Sequence, residues 1–230
     1  DEQPAKVKKV KAAKSENTED DFNFKRDGLF KGMFIAGLNL SQIDGDEQAG
    51  YTYPGARAGV GVMVRFHKYM SVNTGIIYTM KGATKRLNAN ETPQQTFKIQ
   101  WDYVQVPIMF NVHDKKLFMA SVGLGLNYLV RNKVTHQIDS LNTGLREVTY
   151  SPLKTPEPHK FDLTGIAGFH FLIKKVFGIG AQFEYSFIGA RPSVGINTKV
   201  KQMFNNTITI QLMYILDPVA IKKKRKGLDS

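Results

Sequence analysis

Hydrophobic residues recur at every second position along most of the chain. Ala56, Ala58, Val60, Val62, Val64 and Phe66 alternate with Arg57, Gly59, Gly61, Met63, Arg65 and His67, and the same rhythm returns over 118–130, 177–187 and 208–216. A period of two belongs to a β-strand whose two faces meet different surroundings. The pattern predicts eight strands, near 29–41, 55–67, 70–82, 97–112, 117–131, 161–173, 176–188 and 201–216. Each is about twice the usual strand length of about five or six residues.

The connections alternate as well. Those around 67–70, 113–116 and 174–175 are tight, whereas 42–54, 83–96, 132–160 and 189–200 are long and carry Gly, Pro, Asn and Asp. In an up-and-down sheet alternate connections lie at opposite ends, so the tight turns share one end with both termini and the long loops share the other. That asymmetry predicts an all-β fold: an eight-stranded antiparallel up-and-down transmembrane β-barrel with short periplasmic turns and long extracellular loops.

A soluble barrel alternates too, with its apolar face inside, and the opposite face separates the two cases. Facing water it would be rich in Lys and Glu. Here it holds Gly59, Gly61, Gly75, Gly123, Gly125, Gly168, Gly178 and Gly180 with Ser, Thr and Asn between them. Glycine weakens an exposed strand but makes room inside a narrow tube. The apolar face is therefore expected to meet lipid, with aromatic girdles formed by Phe66, Phe110, Phe118 and Phe171 at one end and Tyr78, Tyr128, Tyr185 and Phe187 toward the other.

Composition alone points elsewhere. The longest charge-free stretch, 202–216, is shorter than the roughly 18 apolar residues of a membrane helix. A barrel spreads its lipid-facing residues over alternate positions, so no such window is needed. The absence of cysteine excludes a disulfide scaffold, a thiolate zinc site, an iron–sulfur cluster and a thiol nucleophile. The net charge of +12 would suit nucleic acid or an anionic surface. Its placement changes that, because residues 1–27 carry seven Lys/Arg against seven Asp/Glu, while the tail from Asp217 contributes +3 and the barrel with its loops +9. Three parts are expected: a flexible periplasmic arm (1–28), an outer-membrane barrel (29–216) and a basic periplasmic tail (217–230). Lys222, Lys223, Lys224, Arg225 and Lys226 in that tail suit a solvated end, anionic lipid headgroups or an acidic periplasmic partner. Nucleic acid recedes as a partner. Since the chain starts in polar sequence at Asp1, the processed form is expected.

The run Asp102-Tyr103-Val104-Gln105-Val106-Pro107-Ile108-Met109-Phe110, with Gly37-Leu38-Asn39-Leu40-Ser41, Ile77-Tyr78-Thr79-Met80-Lys81-Gly82 and Ser121-Val122-Gly123-Leu124-Gly125, resembles the PorT-like outer-membrane barrels of the Bacteroidota. The resemblance covers about residues 29–216. It implies the barrel fold, the outer membrane and a link to protein transport by type IX secretion and to gliding. Gln105 stands where that family usually has an acidic residue.

Arg57, Arg65, Lys81, Arg131, Asp162 and Glu184 are the inward ionisable residues expected from strand parity, with His170, Gln105 and Gln182 beside them. Counted from the tight turns, Arg57, Lys81, Asp162 and Glu184 should meet in one layer in the outer half of the lumen. Charges in so narrow a space need partners, so a salt-bridged plug is expected, with a gated pore as the other use. Asp102 shares parity with lipid-facing Val104 and Val106. Either a bulge near 101–103 re-aims it or it stands above the hydrocarbon.

Other chemistry is thin. A lipid-modifying enzyme would draw on His136 or His159 with Asp139, Ser140, Ser151 or Glu157. The Gly-x-Gly pairs at 59/61, 123/125 and 178/180 lie inside strands, without the helix a phosphate cradle needs. No metal-ligand spacing is present, and no catalytic residue, metal or cofactor is expected. The leading functional expectation is a non-enzymatic accessory subunit of an outer-membrane protein export or assembly machine. Its partners would be lipopolysaccharide, phospholipid and a larger outer-membrane complex. The alternatives are a stand-alone structural or adhesion barrel and the lipid-modifying enzyme.

Overall fold

The computed structural model describes residues 29–44, 50–67, 69–87, 94–114, 117–140, 144–150, 158–173, 176–188, 191–192 and 202–216. The arm 1–28, the tail 217–230 with its basic run, Ser151 and Glu157 lie outside the described residues. The described residues form ten strands: β1 (Phe30–Asp44), β2 (Tyr53–His67), β3 (Met70–Leu87), β4 (Gln94–His113), β5 (Phe118–Ser140), β6 (Gly144–Tyr150), β7 (Phe161–Ile173), β8 (Phe177–Ser186), β9 (Arg191–Pro192) and β10 (Gln202–Ile215). Eight of them, in the order β1-β2-β3-β4-β5-β7-β8-β10, close into an antiparallel barrel when β10 pairs with β1 from Met33↔Ile215 to Asp44↔Phe204. β6 extends the edge of β5, and the short β9 pairs with β10. The eight-stranded barrel is the fold that the alternation predicts.

Strand lengths depart from the expectation at the end away from the tight turns. β3, β4 and β5 span 18, 20 and 23 residues. Much of 83–96 and 132–160 is thus ladder rather than loop: β3 pairs with β4 as far as Leu87↔Gln95, and β5 with β6 from Val134↔Tyr150 to Ser140↔Gly144. Beyond the lipid the outer face of a strand meets water instead of hydrocarbon. Apolar alternation then stops while backbone pairing continues.

The two faces are inverted relative to a soluble barrel. Leu38, Val122 and Ile210 are 71%, 59% and 61% exposed, while Arg57, Lys81 and Glu184 are no more than 3% exposed. So continuous an apolar exterior is a lipid-facing surface. Its aromatic residues meet across strands near both ends: Phe66 with Phe110 and Phe118 with Phe171 at the tight-turn end, Tyr128 with Phe161 and Tyr185 with Phe204 toward the other.

The inner face is more apolar than its glycines and hydroxyls suggest. Met33, Ile35, Met63, Ile77, Met119, Leu172, Met213 and Ile215 pack into one buried layer at the tight-turn end. A second layer at the opposite end joins Ile43, Ala83, Ile99, Trp101 and Tyr103, with Leu129 against them. Methionine suits such a space, since an unbranched side chain fills an irregular tube. Above the pair Arg57↔Thr79 the β2–β3 ladder ends, and β1 side chains take over part of it. Asn39 Nδ2 donates to the Met80 carbonyl at 2.9 Å, and the Gly82 N–H donates to Ser41 Oγ at 2.9 Å.

Candidate functional site

Between the two apolar layers lies a charged one. Alternation aims Arg57 of β2, Lys81 of β3, Gln105 of β4, and Gln182 and Glu184 of β8 inward, and the stagger of the strands brings them level. Arg57 Nη1 lies 3.0 Å from Glu184 Oε1, and Lys81 Nζ lies 2.6 Å from Glu184 Oε2. Arg57 also donates to Gln182 Oε1 at 3.0 Å and to Gln105 Oε1 at 2.9 Å. Gln105 Nε2 in turn donates to Glu184 Oε2 at 3.1 Å. One carboxylate thus serves two cations and an amide. Gln105 accepts from the cation and donates to the carboxylate, which an ionised acid at that position cannot do. Lys81 Nζ also stands 5.8 Å from the centre of the Tyr103 ring, within cation–π range.

Not every expected member joins this layer. Asp162 is buried, but its carboxylate accepts from Ser186 Oγ and makes no ion pair with Arg57 or Lys81, so it stands at the layer's edge. His170 lies lower, its Nε2 2.7 Å from Gln211 Nε2. Arg65 is half-buried near the tight turns.

Arg131 corrects the expectation outright, because its side chain is 58% exposed on the outer face. The register explains why: Asp102 pairs with Arg131 but Tyr103 pairs with Leu129, so Val130 is an extra residue in β5 and inside–outside parity inverts there. Asp102 itself stays on the outward face, opposite Met80, and is covered rather than re-aimed.

Sequence parity identified the charged centre but missed its surroundings. Trp101 and Tyr103 cap it, with Trp101 Nε1 donating to Asn132 Oδ1 at 3.0 Å and Asn205 Nδ2 donating to the Tyr103 hydroxyl at 3.3 Å. Lys31 is a further buried inward cation near the tight-turn end. Both are visible in retrospect as inward-parity positions. A cavity of about 20 Å³ lies below the charged layer, bordered by Arg57, Asn73, His170 and Gln211. It is large enough for about one water, and Arg57 Nε, Asn73 Oδ1, His170 Nδ1 and Gln211 Oε1 are buried without a protein partner. That polar lining and volume suit a single bound water.

Among the described residues the enzyme alternative gains no geometry. His136, Asp139 and Ser140 lie on the paired part of β5, where extended backbone separates residues 136 and 140 by about 13 Å. His159 is exposed just before β7. Among the described residues, no three His, Asp or Glu residues are gathered as a metal site would need.

A family model described as an outer membrane protein beta-barrel domain matches residues 19–190. Solved structures similar to this chain include Ail, the attachment invasion locus protein of Yersinia pestis, at 14% identity and a TM-score of 0.42, over 81% of this chain and 98% of that one. Neisserial surface protein A is similar at 11% identity and a TM-score of 0.39, over 81% and 97%. Acinetobacter baumannii CarO is similar at 10% identity and a TM-score of 0.39, over 78% and 96%. No curated protein matches the chain.

Proposed function

We propose that this chain, which belongs to the outer membrane protein beta-barrel domain family, is a non-enzymatic and non-conducting barrel that serves as an accessory subunit of a larger outer-membrane assembly for protein export. The observation that carries this reading is the filled lumen. Two apolar layers and a charged layer in which one carboxylate bridges two cations stand in series across it. A solute would have to break a buried ion network to pass, so the work falls to the outer surface. The PorT-like segment 102–110 favours a type IX secretion-like machine as the assembly. The ladder of β3, β4, β5 and β6, which continues past the end of β7, offers a docking wall on one side. The tight-turn end is taken to face the periplasm.

Planar-bilayer recordings of the purified protein are expected to show no steady conductance, and a sustained open-channel current would overturn the sealed-lumen reading. Purification from native membranes in mild detergent is expected to bring the barrel out with stoichiometric outer-membrane partners. Isolation as a lone barrel at every detergent strength would instead support the second reading, a stand-alone structural or adhesion barrel, for which the same protruding wall would be the contact surface.

A further inference from the structure

The lipid-facing apolar run stops at one level on three adjacent strands: at Ile76 and Tyr78 on β3, Val106 and Val104 on β4, and Tyr128 and Val130 on β5. At about 3.4 Å per residue and a tilt near 40°, the eleven residues from His113 raise Asp102 about 28 Å, just past an apolar band about 25 Å tall. At that height the bulge at Val130 sends Arg131 outward. Asp102 lies beneath it on the same face and is fully buried. The Tyr78 hydroxyl donates to Asp102 Oδ2 at 2.7 Å, Gln100 Nε2 donates to Oδ1 at 3.0 Å, and Arg131 Nη1 stands 3.9 Å from Oδ2.

Two lysines continue the ledge. Paired residues in an antiparallel ladder share a face, so Lys133, opposite Gln100, and Lys98, opposite Thr135, point outward with Arg131. Lys98 Nζ sits 5.2 Å from the centre of the Tyr53 ring, and that ring lies against Gly82. The result is three cations and one covered carboxylate directly above an apolar wall.

We propose that this ledge binds a phosphorylated glycolipid of the outer leaflet, of the lipid A type. The phosphates would lie on Arg131, Lys98 and Lys133, and the acyl chains on Val104, Val106 and Val130. The Asp102 carboxylate, fixed by Tyr78 and Gln100, holds the near edge of the Arg131 guanidinium while its exposed edge stays open to a phosphate. A guanidinium matches phosphate geometry in two parallel hydrogen bonds. Two strands and three cations make a ledge wider than one phosphate, which favours a bisphosphorylated headgroup over a phospholipid. The bulge is the device that creates the site: without the extra residue Arg131 would point into the lumen. The assignment to the outer leaflet rests on the orientation proposed above.

The full chain, purified in non-ionic detergent, is titrated with bisphosphorylated lipid A, dephosphorylated lipid A, phosphatidylglycerol and inorganic phosphate, with binding read by native mass spectrometry. One bisphosphorylated lipid A is expected on the wild type. Arg131→Gln combined with Lys98→Gln should weaken it at least tenfold, while Arg131→Lys keeps much of the binding. Heat-dependent gel mobility confirms that each variant is a folded barrel. Unchanged lipid A binding by the double variant overturns the proposal, as does equal affinity for phosphatidylglycerol or dephosphorylated lipid A, or displacement of the lipid by millimolar inorganic phosphate. Orientation is read separately. Because the chain has no cysteine, His159→Cys should be the one residue labelled by an impermeant maleimide on intact cells. Failure to label overturns the orientation and the leaflet, whereas lost lipid A selectivity overturns the site.

Discussion

Glu184→Gln is expected to destabilise the barrel more than the loss of either cation it binds. The glutamate accepts from Arg57, Lys81 and Gln105, so the substitution leaves two buried cations facing each other across a neutral amide. Removing one partner of a buried ion pair costs about 3–5 kcal/mol, because the other charge stays buried and uncompensated. Two stranded cations place this variant at the upper end of that range. Lys81→Met removes the excess positive charge instead. It keeps the Arg57–Glu184 pair and both glutamine contacts, so its cost should be less than half as large. The double variant, Lys81→Met with Glu184→Gln, strands only Arg57 and should be more stable than Glu184→Gln alone, a non-additivity that marks direct coupling. The measurement is urea unfolding in detergent, followed by tryptophan fluorescence from the single Trp101. Equal stability of Glu184→Gln and Lys81→Met would show that the network does not act as one paired unit.

The ease with which different parts could be foreseen follows the contrast between their surroundings. In the lipid-spanning part of β2, Val60 and Val62 meet hydrocarbon while Arg57 and Met63 meet the lumen, so alternation is strong and parity alone aims Arg57, Lys81 and Glu184 at one another. Above the band that contrast is lost. Arg131, Lys133, His136 and Asp139 belong to a continuous strand, yet their sequence reads as a polar loop. The bulge at Val130 leaves no compositional mark, which is why Arg131 alone reversed face. Asp102 is the exception, since a carboxylate in lipid-facing parity signals that something local must shelter it, although its shelter of Tyr78, Gln100 and Arg131 comes from three strands. The inner methionines were hidden for another reason. Met63, Met119 and Met213 keep inward parity, but a periodic pattern shows where a side chain points and not whether the tube it enters is wet or dry.

Gly123→Ala and Gly180→Ala are expected to be among the most damaging single-methyl additions in the barrel. Each glycine faces its neighbour strand at close range. A Cβ on Gly123 would strike the Ile108 carbonyl and come within 2.8 Å of Met109 Cα, and one on Gly180 would strike the Phe169 carbonyl and come within 2.8 Å of His170 Cα. A flexible side chain in the way can rotate aside. A backbone atom held in a ladder cannot move without shifting the pairs Met109↔Gly123 and His170↔Gly180 and the strands beyond them. Overpacking of a dense interior costs about 1–3 kcal/mol, and contacts that are backbone on the receiving side put both variants at the top of that range. Gly32 supplies the comparison, since the atoms nearest an added Cβ there belong to the Leu216 side chain, the first at 3.2 Å. Gly32→Ala should therefore stay near the wild type or gain slightly, because alanine has less backbone freedom to lose than glycine, worth about 0.5–1 kcal/mol. Folding yield into detergent and the urea midpoint read both effects. If all three variants lose stability alike, the backbone contacts at Gly123 and Gly180 are not what sets the cost; if all three gain alike, strand propensity alone governs these positions. A loss confined to Gly123 and Gly180 identifies close strand approach around a narrow lumen as the reason that the inner face carries them.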